Sequence, residues 1–301
     1  MAMPNILIGT ASWTDRSLVE SGRFYPPEAK TSEDKLRYYA TQFPFVEVDS
    51  SYYSLPSVRN ATLWAERTPD GFCFDMKAFR LFTGHQTPPD ALPKDVREAL
   101  GPLPQGKRNW YYKDLSEQQR ESLWARFENA LGPLTLNQKL GAVIFQLPPW
   151  LGPNEQTRRH LQYCADRLDP SPIAIEFRNR YWLDDAHRRE TLAFLRENGL
   201  AYVVVDEPQG FGSSVPQVWE VTNPELAVLR LHGRNAATWE EKGLAASSER
   251  FNYLYSDEEL EGFVDPLQRL ATEARSIHVT FNNNYQDYSQ RNARQLMEML
   301  R

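Results

Sequence analysis

The stretch 173-IAIEFRNRYW-182 starts as a buried strand and then, with no turn residue between, turns polar: Ile173, Ala174 and Ile175 run into Glu176, Arg178 and Asn179, with Trp182 close behind. Successive strand residues point to opposite faces, so Ala174, Glu176 and Arg178 share one face while Ile173, Ile175 and Phe177 share the other. One face stays apolar and the other becomes charged at the carboxyl end. That is the pattern of a strand covered by helices on its outside and opening onto a polar site at its tip.

Seven other runs rich in β-branched and aromatic residues read as strands: 6–10 (ILIGT), 45–49 (FVEVD), 72–77 (FCFDMK), 141–147 (GAVIFQL), 201–206 (AYVVVD), 227–232 (AVLRLH) and 276–281 (SIHVTF). Helical periodicity marks 33–42, 57–67, 117–131, 155–168, 185–198, 257–274 and 289–300 between and after them. Asn154 and the Ser256-Asp257-Glu258-Glu259 cluster supply oxygens and negative charge where two of these helices begin. Strands too apolar to face water, alternating with amphipathic helices, predict a parallel sheet covered by helices. Eight such strands predict an α/β protein, a closed (β/α)8 TIM barrel, with residues 1–301 as a single domain. The alternative, a doubly wound open sheet, usually carries a glycine-rich turn after its first strand, and GTASW is not that turn. Residues 83–114, rich in Pro, Gly and charge, predict an extended loop or small lid after the third strand; 207–224 and 235–255 predict shorter insertions.

The same alternation holds along the other strands. Val228, Arg230, His232 and Arg234 share a face of the seventh, and His278, Thr280 and Asn282 a face of the eighth. The second offers Glu47 and Asp49, the third Asp75 and Lys77, the fourth Gln146 and the sixth Asp206. On the presumed inner face these polar residues gather toward the carboxyl ends, where barrels of this kind carry their sites. A buried salt-bridge network closing the barrel top is the alternative, at a desolvation cost of several kcal/mol per unpaired ion.

Hydrophobic residues make up 41% of the 301 and charged ones 25%, the balance of a globular rather than a disordered chain. A net charge of -6 argues against a protein that coats nucleic acid through a broad basic surface. Cys73 and Cys164 are too few for a disulfide framework and read as reduced, buried thiols. The start MAMPNILIGTASW has no basic leader, and no run of about 20 apolar residues follows, so a cytoplasmic protein without a membrane span is expected.

Taken in order, IGTASW, FYP (24–26), KLRYYATQFPFVEVDSSYYSLPS, MKAFRLFTGH, GAVIFQLPP, AIEFRNRYW, LRLHGR and HVTFNNNY followed by RNA resemble the DUF72 family, also called YecE-like proteins. The resemblance implies a TIM barrel, a bacterial cytoplasmic protein and no securely assigned activity. The sequence departs from the shorter family pattern at 86–114 and near 207–224. The family barrel is also similar to the endonuclease IV and xylose isomerase type, whose His and carboxylate ligands hold divalent metals. Here His160 and His187 fall on predicted helices and no HxH or HExxH spacing occurs, so no multi-metal centre and no evident cofactor are expected. A single Mg or Mn held by Glu47, Glu176 and Asp206 stays open.

Lys77, Arg178, Arg230 and Arg234 suit an anion clamp, or else neutralise Glu47, Glu176 and Asp206. Glu176 and His232 suit acid/base work, with Glu47 and Asp206 as further carboxylates; cations flanking His232 favour its neutral form. His278, nearer the barrel bottom, reads as structural. Asn179, Asn282 and Asn283 offer uncharged donors and acceptors, and Asn282–Asn284 also suit a tight turn. Trp13, Tyr52, Tyr53 and Trp182 suit stacking on a sugar or base, or ordinary packing under loops. His85 and Trp110 lie in the loop that would cover the site. The expected ligand is a small anionic molecule, a phosphorylated sugar or a nucleic-acid fragment, with no membrane and no protein partner indicated. The protein then reads as a hydrolase or isomerase, or as a non-catalytic nucleic-acid or anionic-metabolite binding protein.

Overall fold

The computed structural model describes residues 5–241, 243, 244 and 246–301. Eight parallel strands among them close into one barrel in chain order: β1 Asn5–Ala11, β2 Phe45–Val48, β3 Cys73–Lys77, β4 Leu140–Gln146, β5 Ile173–Glu176, β6 Ala201–Asp206, β7 Leu226–Leu231 and β8 Ser276–Phe281. The barrel shuts where Asn5 to Thr10 pair with Ser276 to Phe281. That pairing rules out the open sheet. Every residue of β2, β5, β6 and β7 is buried, because one face meets the barrel interior and the other the surrounding helices.

The helices earn their places by periodicity and capping. Glu155–Leu168 buries Thr157, Leu161, Cys164 and Leu168, one stripe along the helix, and Asn154 accepts a hydrogen bond from the Thr157 amide. Asp257–Glu273 starts with a reciprocal Ser256–Glu259 capping box and buries Leu260, Phe263, Leu267 and Leu270. Each fully buried aliphatic or aromatic side chain of this kind contributes about 1.5–3 kcal/mol.

Residues 83–114 are more ordered than the loop or lid expected. They contain a turn of 3-10 helix at Pro89–Ala91, a helix at Lys94–Leu100 and a second 3-10 turn at Tyr112–Asp114. Thr87 and Trp110 exchange two backbone hydrogen bonds of 2.8 Å. Leu92, Val96 and Trp110 pack into the core, and Arg126 of the helix Glu117–Leu136 holds Asp95. Burial of these apolar anchors fixes the segment on the barrel. Among the described residues, β6 and β7 are joined without an intervening helix, and 235–255 contains one short helix, Ser247–Arg250. No described helix is long and apolar enough to cross a membrane.

A candidate anion site at the barrel mouth

At the carboxyl ends of the strands, Gln146 of β4 pairs in register with Glu176 of β5, while Asp206 of β6 pairs with Leu231, the last residue of β7. Inward-facing side chains at this height meet on the barrel axis. Arg230 is fully buried and bridges two carboxylates: its Nη2 donates to Glu47 Oε1 at 2.7 Å and its Nη1 to Glu176 Oε2. Glu176 Oε1 accepts from Gln146 Nε2 at 2.8 Å, from Arg178 Nη1 at 3.3 Å and from His232 Nε2 at 3.1 Å. Asn282 Nδ2 stands 2.9 Å from His232 Nδ1 and donates to it.

These partners set the protonation. Burial alone would raise the Glu176 carboxyl, but Arg230, then His232 and Arg178, hold it well below the usual range. An ionised Glu176 only accepts, so His232 carries its proton on Nε2 and leaves Nδ1 to accept from Asn282. Burial pushes His232 down to about 4; the neighbouring arginines add to this and Glu176 opposes it. Neutral histidine was the expectation, but the principal cause is burial. Both ring nitrogens are hydrogen-bonded, Nε2 to Glu176 and Nδ1 to Asn282, which ties His232 into the floor of the mouth. Glu47 differs from both. Its Oε2 is buried with no hydrogen-bond partner, and burial, opposed by Arg230 and Lys77, pushes its carboxyl up to about 7.

Above this floor lies a basic rim. Lys77 Nζ holds Asp49 at 2.7 Å and stands 4.9 Å from the centre of the Tyr52 ring, which Arg80 approaches at 5.2 Å. Although burial opposes it, Lys77 keeps Asp49 below the usual carboxylate range. Arg178 Nη1 donates to Glu207 Oε2 at 2.6 Å and its guanidinium lies 5.0 Å from the Trp239 ring centre. Burial pushes Glu207 up to about 7, against the pull of Arg178 and the Val215 amide. His85 sits edge-on to Tyr52 and Trp150, and burial together with Lys77, Arg80 and Arg178 drives it down to about 3. Among the described residues Arg80 has no carboxylate within ion-pair distance, and its Nε is buried without a partner.

The predicted residues divide. Lys77, Arg178, Glu47, Glu176, Arg230, His232 and Asn282 come together, and Tyr53, 52% exposed, stands beside Tyr52 at the rim. Arg230 and Arg234 leave the clamp. Arg230 serves Glu47 and Glu176, and Arg234 serves Asp206 at 2.8 Å and Glu259 at 3.0 Å. Asp206 also accepts from Tyr255 Oη at 2.7 Å, so Arg234 and Tyr255 together hold its carboxylate. The Mg or Mn set of Glu47, Glu176 and Asp206 does not assemble, because a guanidinium occupies the space between the first two and Asp206 is tied elsewhere. Trp182 is fully buried, stacked on Phe177 at 4.5 Å, with Nε1 donating to Leu151 O. Trp13 packs edge-on against Trp64 and Phe74. Asn179 caps the turn Arg180–Trp182 and bonds Pro149 O, while buried Asn283 bonds Tyr253 O and Asn292. All four make packing or capping contacts, which for Trp13, Trp182 and Asn283 was one of the two expectations from sequence. Trp110 is buried in the core, whereas His85 stands edge-on to Tyr52 at the rim.

Sequence reading missed Arg80 and Glu207. Each lies just past the strand segment to which parity applies, and Glu207 follows an inward Asp206, so alternation would point it outward. Parity also assigned Asp75 to the polar end of β3. It pairs instead with His278, whose Nδ1 lies 3.0 Å from both Asp75 oxygens, in a lower layer beside Cys73. Although burial opposes the charge, Asp75 pushes His278 up to about 10. Cys164 is buried as expected; Cys73 is only half-buried.

Comparison with known proteins adds ancestry. The family model described as "Protein of unknown function DUF72" matches residues 7–301. The UPF0759 protein YunF of Bacillus subtilis (strain 168) is 32% identical over 297 residues, covering 98% of this chain and 94% of that protein. A solved DUF72 family protein from Enterococcus faecalis V583 superposes with a TM-score of 0.79 at 29% identity, covering 98% of this chain and 95% of its own. Another, from Thermotoga maritima MSB8, gives 0.76 at 28% identity, covering 98% and 99%.

Proposed function

The chain belongs to the DUF72 family, a family of unknown function, and from the chemistry of its barrel mouth we propose that it binds a small anionic ligand there, a phosphorylated sugar or a nucleic-acid-derived phosphate, over Lys77, Arg80 and Arg178. The observation that carries this reading is a charge imbalance. Lys77, Arg80, Arg178 and Arg230 face four carboxylates, of which Glu47 and Glu207 are held up to about 7 and so keep their protons on the acid side of neutrality. Asp49 and Glu176 then remain to balance four cations, and His85 beside them is neutral, chiefly through burial and then through Lys77, Arg80 and Arg178. Guanidinium groups match phosphate oxygens in pairs, and Tyr52 and exposed Tyr53 and Trp150 offer ring faces beside them.

Turnover by a hydrolase or isomerase is a second reading, favoured by one residue. Glu47 and Glu207 are both raised to about 7, but of the two it is Glu47 that keeps an oxygen without a partner, Oε2, with which to give or take a proton at neutral pH. Glu176 and His232, the pair first suggested by sequence, hold each other and supply the polar floor beneath it.

Arg80→Gln is the cleanest test, because it removes a positive charge without stranding a buried carboxylate. In calorimetric titration with inorganic sulfate, sugar phosphates and nucleotides, the wild type binds at least one of these and Arg80→Gln weakens that binding tenfold or more. If no anion binds, or Arg80→Gln binds as the wild type does, the proposal fails. Incubating the ligand that binds and following it by NMR separates the two readings: conversion that disappears in Glu47→Gln means an enzyme, and an unchanged ligand means a binding protein.

A further inference from the structure

We propose that Cys73, Asp75 and His278, at the amino-terminal end of the barrel, form a site for a thiolate-binding divalent cation of the Zn2+ type. Cys73 and Asp75 are two residues apart on β3 and so share its inner face; His278 reaches them from β8 across the barrel interior. One ligand atom from each residue lies within 4.8 Å of the others. The His278 Nε2 stands 4.0 Å from Cys73 Sγ, and its Nδ1 3.0 Å from both Asp75 oxygens. A tetrahedral Zn2+ with bonds of about 2.0–2.3 Å holds its ligand atoms roughly 3.3–3.8 Å apart. The Cys73 thiol faces Nε2 and the Asp75 carboxylate faces Nδ1, so the His278 ring turns for one of its nitrogens to join the sulfur and a carboxylate oxygen as one ligand set.

A second observation is independent of these distances. Gly141 of β4 is the point on the wall where the three side chains converge. A Cβ there would collide with Cys73 Sγ and stand 2.5 Å from Asp75 Oδ1 and 2.7 Å from His278 Cε1. Only glycine at 141 leaves room for them to share this space. The cluster opens at the amino end onto a cavity of about 770 Å3, which Cys73 and His278 line together with Leu7, Gly71, Gln138 and Gly141. That cavity gives a cation its path and leaves a fourth position for water, as three-ligand zinc sites do.

The donor set selects the metal. Sulfur, nitrogen and one carboxylate suit Zn2+ and its transition-metal neighbours, whereas Mg2+ and Ca2+ prefer all-oxygen cages. The thiol proton, and the ring proton shared with Asp75, leave to solvent as the metal enters. This site lies at the opposite end of the barrel from the anion mouth and does not depend on it.

The test uses the full chain after chelator treatment, titrated with Zn2+ alone against a chromophoric competitor and, separately, with Co2+ followed by absorption. The expected result is one Zn2+ per chain and a thiolate-to-Co2+ charge-transfer band that persists in Cys164→Ser and is lost in Cys73→Ser. Asp75→Asn and His278→Gln should each weaken Zn2+ binding tenfold or more. Absence of the cobalt band in the wild type overturns the proposal, whatever the variants do. Zinc uptake unaltered in Cys73→Ser overturns it equally, and the cluster is then a buried ion pair with a thiol beside it.

Discussion

Glu47 sits where three influences meet: complete burial, a guanidinium on one oxygen and nothing on the other. Its carboxyl is raised from 4.5 to about 7, so between these values the folded protein holds a proton that the unfolded chain has released. The contribution of Glu47 to stability is thus fully present below about 4.5 and lost as pH rises through 7. Denaturation of wild type and Glu47→Gln across pH 4.5 to 8 should show the wild type losing ground to the variant as pH rises, with a slope of up to about 1.4 kcal/mol per pH unit. Parallel curves would mean that Glu47 titrates like an ordinary glutamate. The amide mimics the protonated form, which is why the difference isolates this one group. At this scale the sequence was informative about which side chains face inward and silent about how they share partners. Parity grouped Glu47, Glu176, Arg230 and His232 correctly, because alternation along a strand is geometric. It could not say that Arg230 would satisfy both carboxylates, or that Asn282 and Glu176 would use up both nitrogens of His232, since hydrogen-bond saturation depends on how five strands register.

The elements were legible to within a few residues because each carries its own signals. Buried β-branched runs mark the strands, and side-chain caps mark the helix starts. Asn154 is a case where the cap rests on one oxygen: its Oδ1 accepts the Thr157 amide at 2.9 Å and the Thr157 hydroxyl at 3.1 Å. Asn154→Ala should lower the unfolding free energy by about 1 kcal/mol in urea titration, and Asn154→Asp should retain most of it. An alanine variant as stable as the wild type would show that helix 155–168 is held by its buried stripe alone. What the elements concealed lies just beyond their ends. Arg80 and Glu207 belong to segments whose direction no periodicity constrains, and both are rim residues. The insertion 83–114 misled for the opposite reason: its Pro and Gly content signals turns, but Leu92, Val96 and Trp110 are apolar anchors that pin those turns to the core. A proline-rich composition says where a chain bends and not whether the bends are packed down.

Taken whole, the barrel has two polar clusters, and Glu47 of one pairs in register with Asp75 of the other. At the carboxyl end, cations outnumber ionised carboxylates on the acid side of neutrality; at the amino end, a thiol, an imidazole and a carboxylate converge over a glycine. The stretch 173–182 points to the first cluster: Glu176 and Arg178 belong to its floor and rim, while Phe177 and Trp182 stack outside the barrel wall to hold the strand in place. The central claim concerns that cluster, and its most direct test is a crystal structure of the wild-type chain grown with an anomalously scattering tetrahedral anion such as selenate. The account predicts the anion within hydrogen-bond distance of Arg80 and of Lys77 or Arg178, beside the Tyr52 ring. Selenate bound only elsewhere, with the carboxyl-terminal mouth holding none, would contradict it.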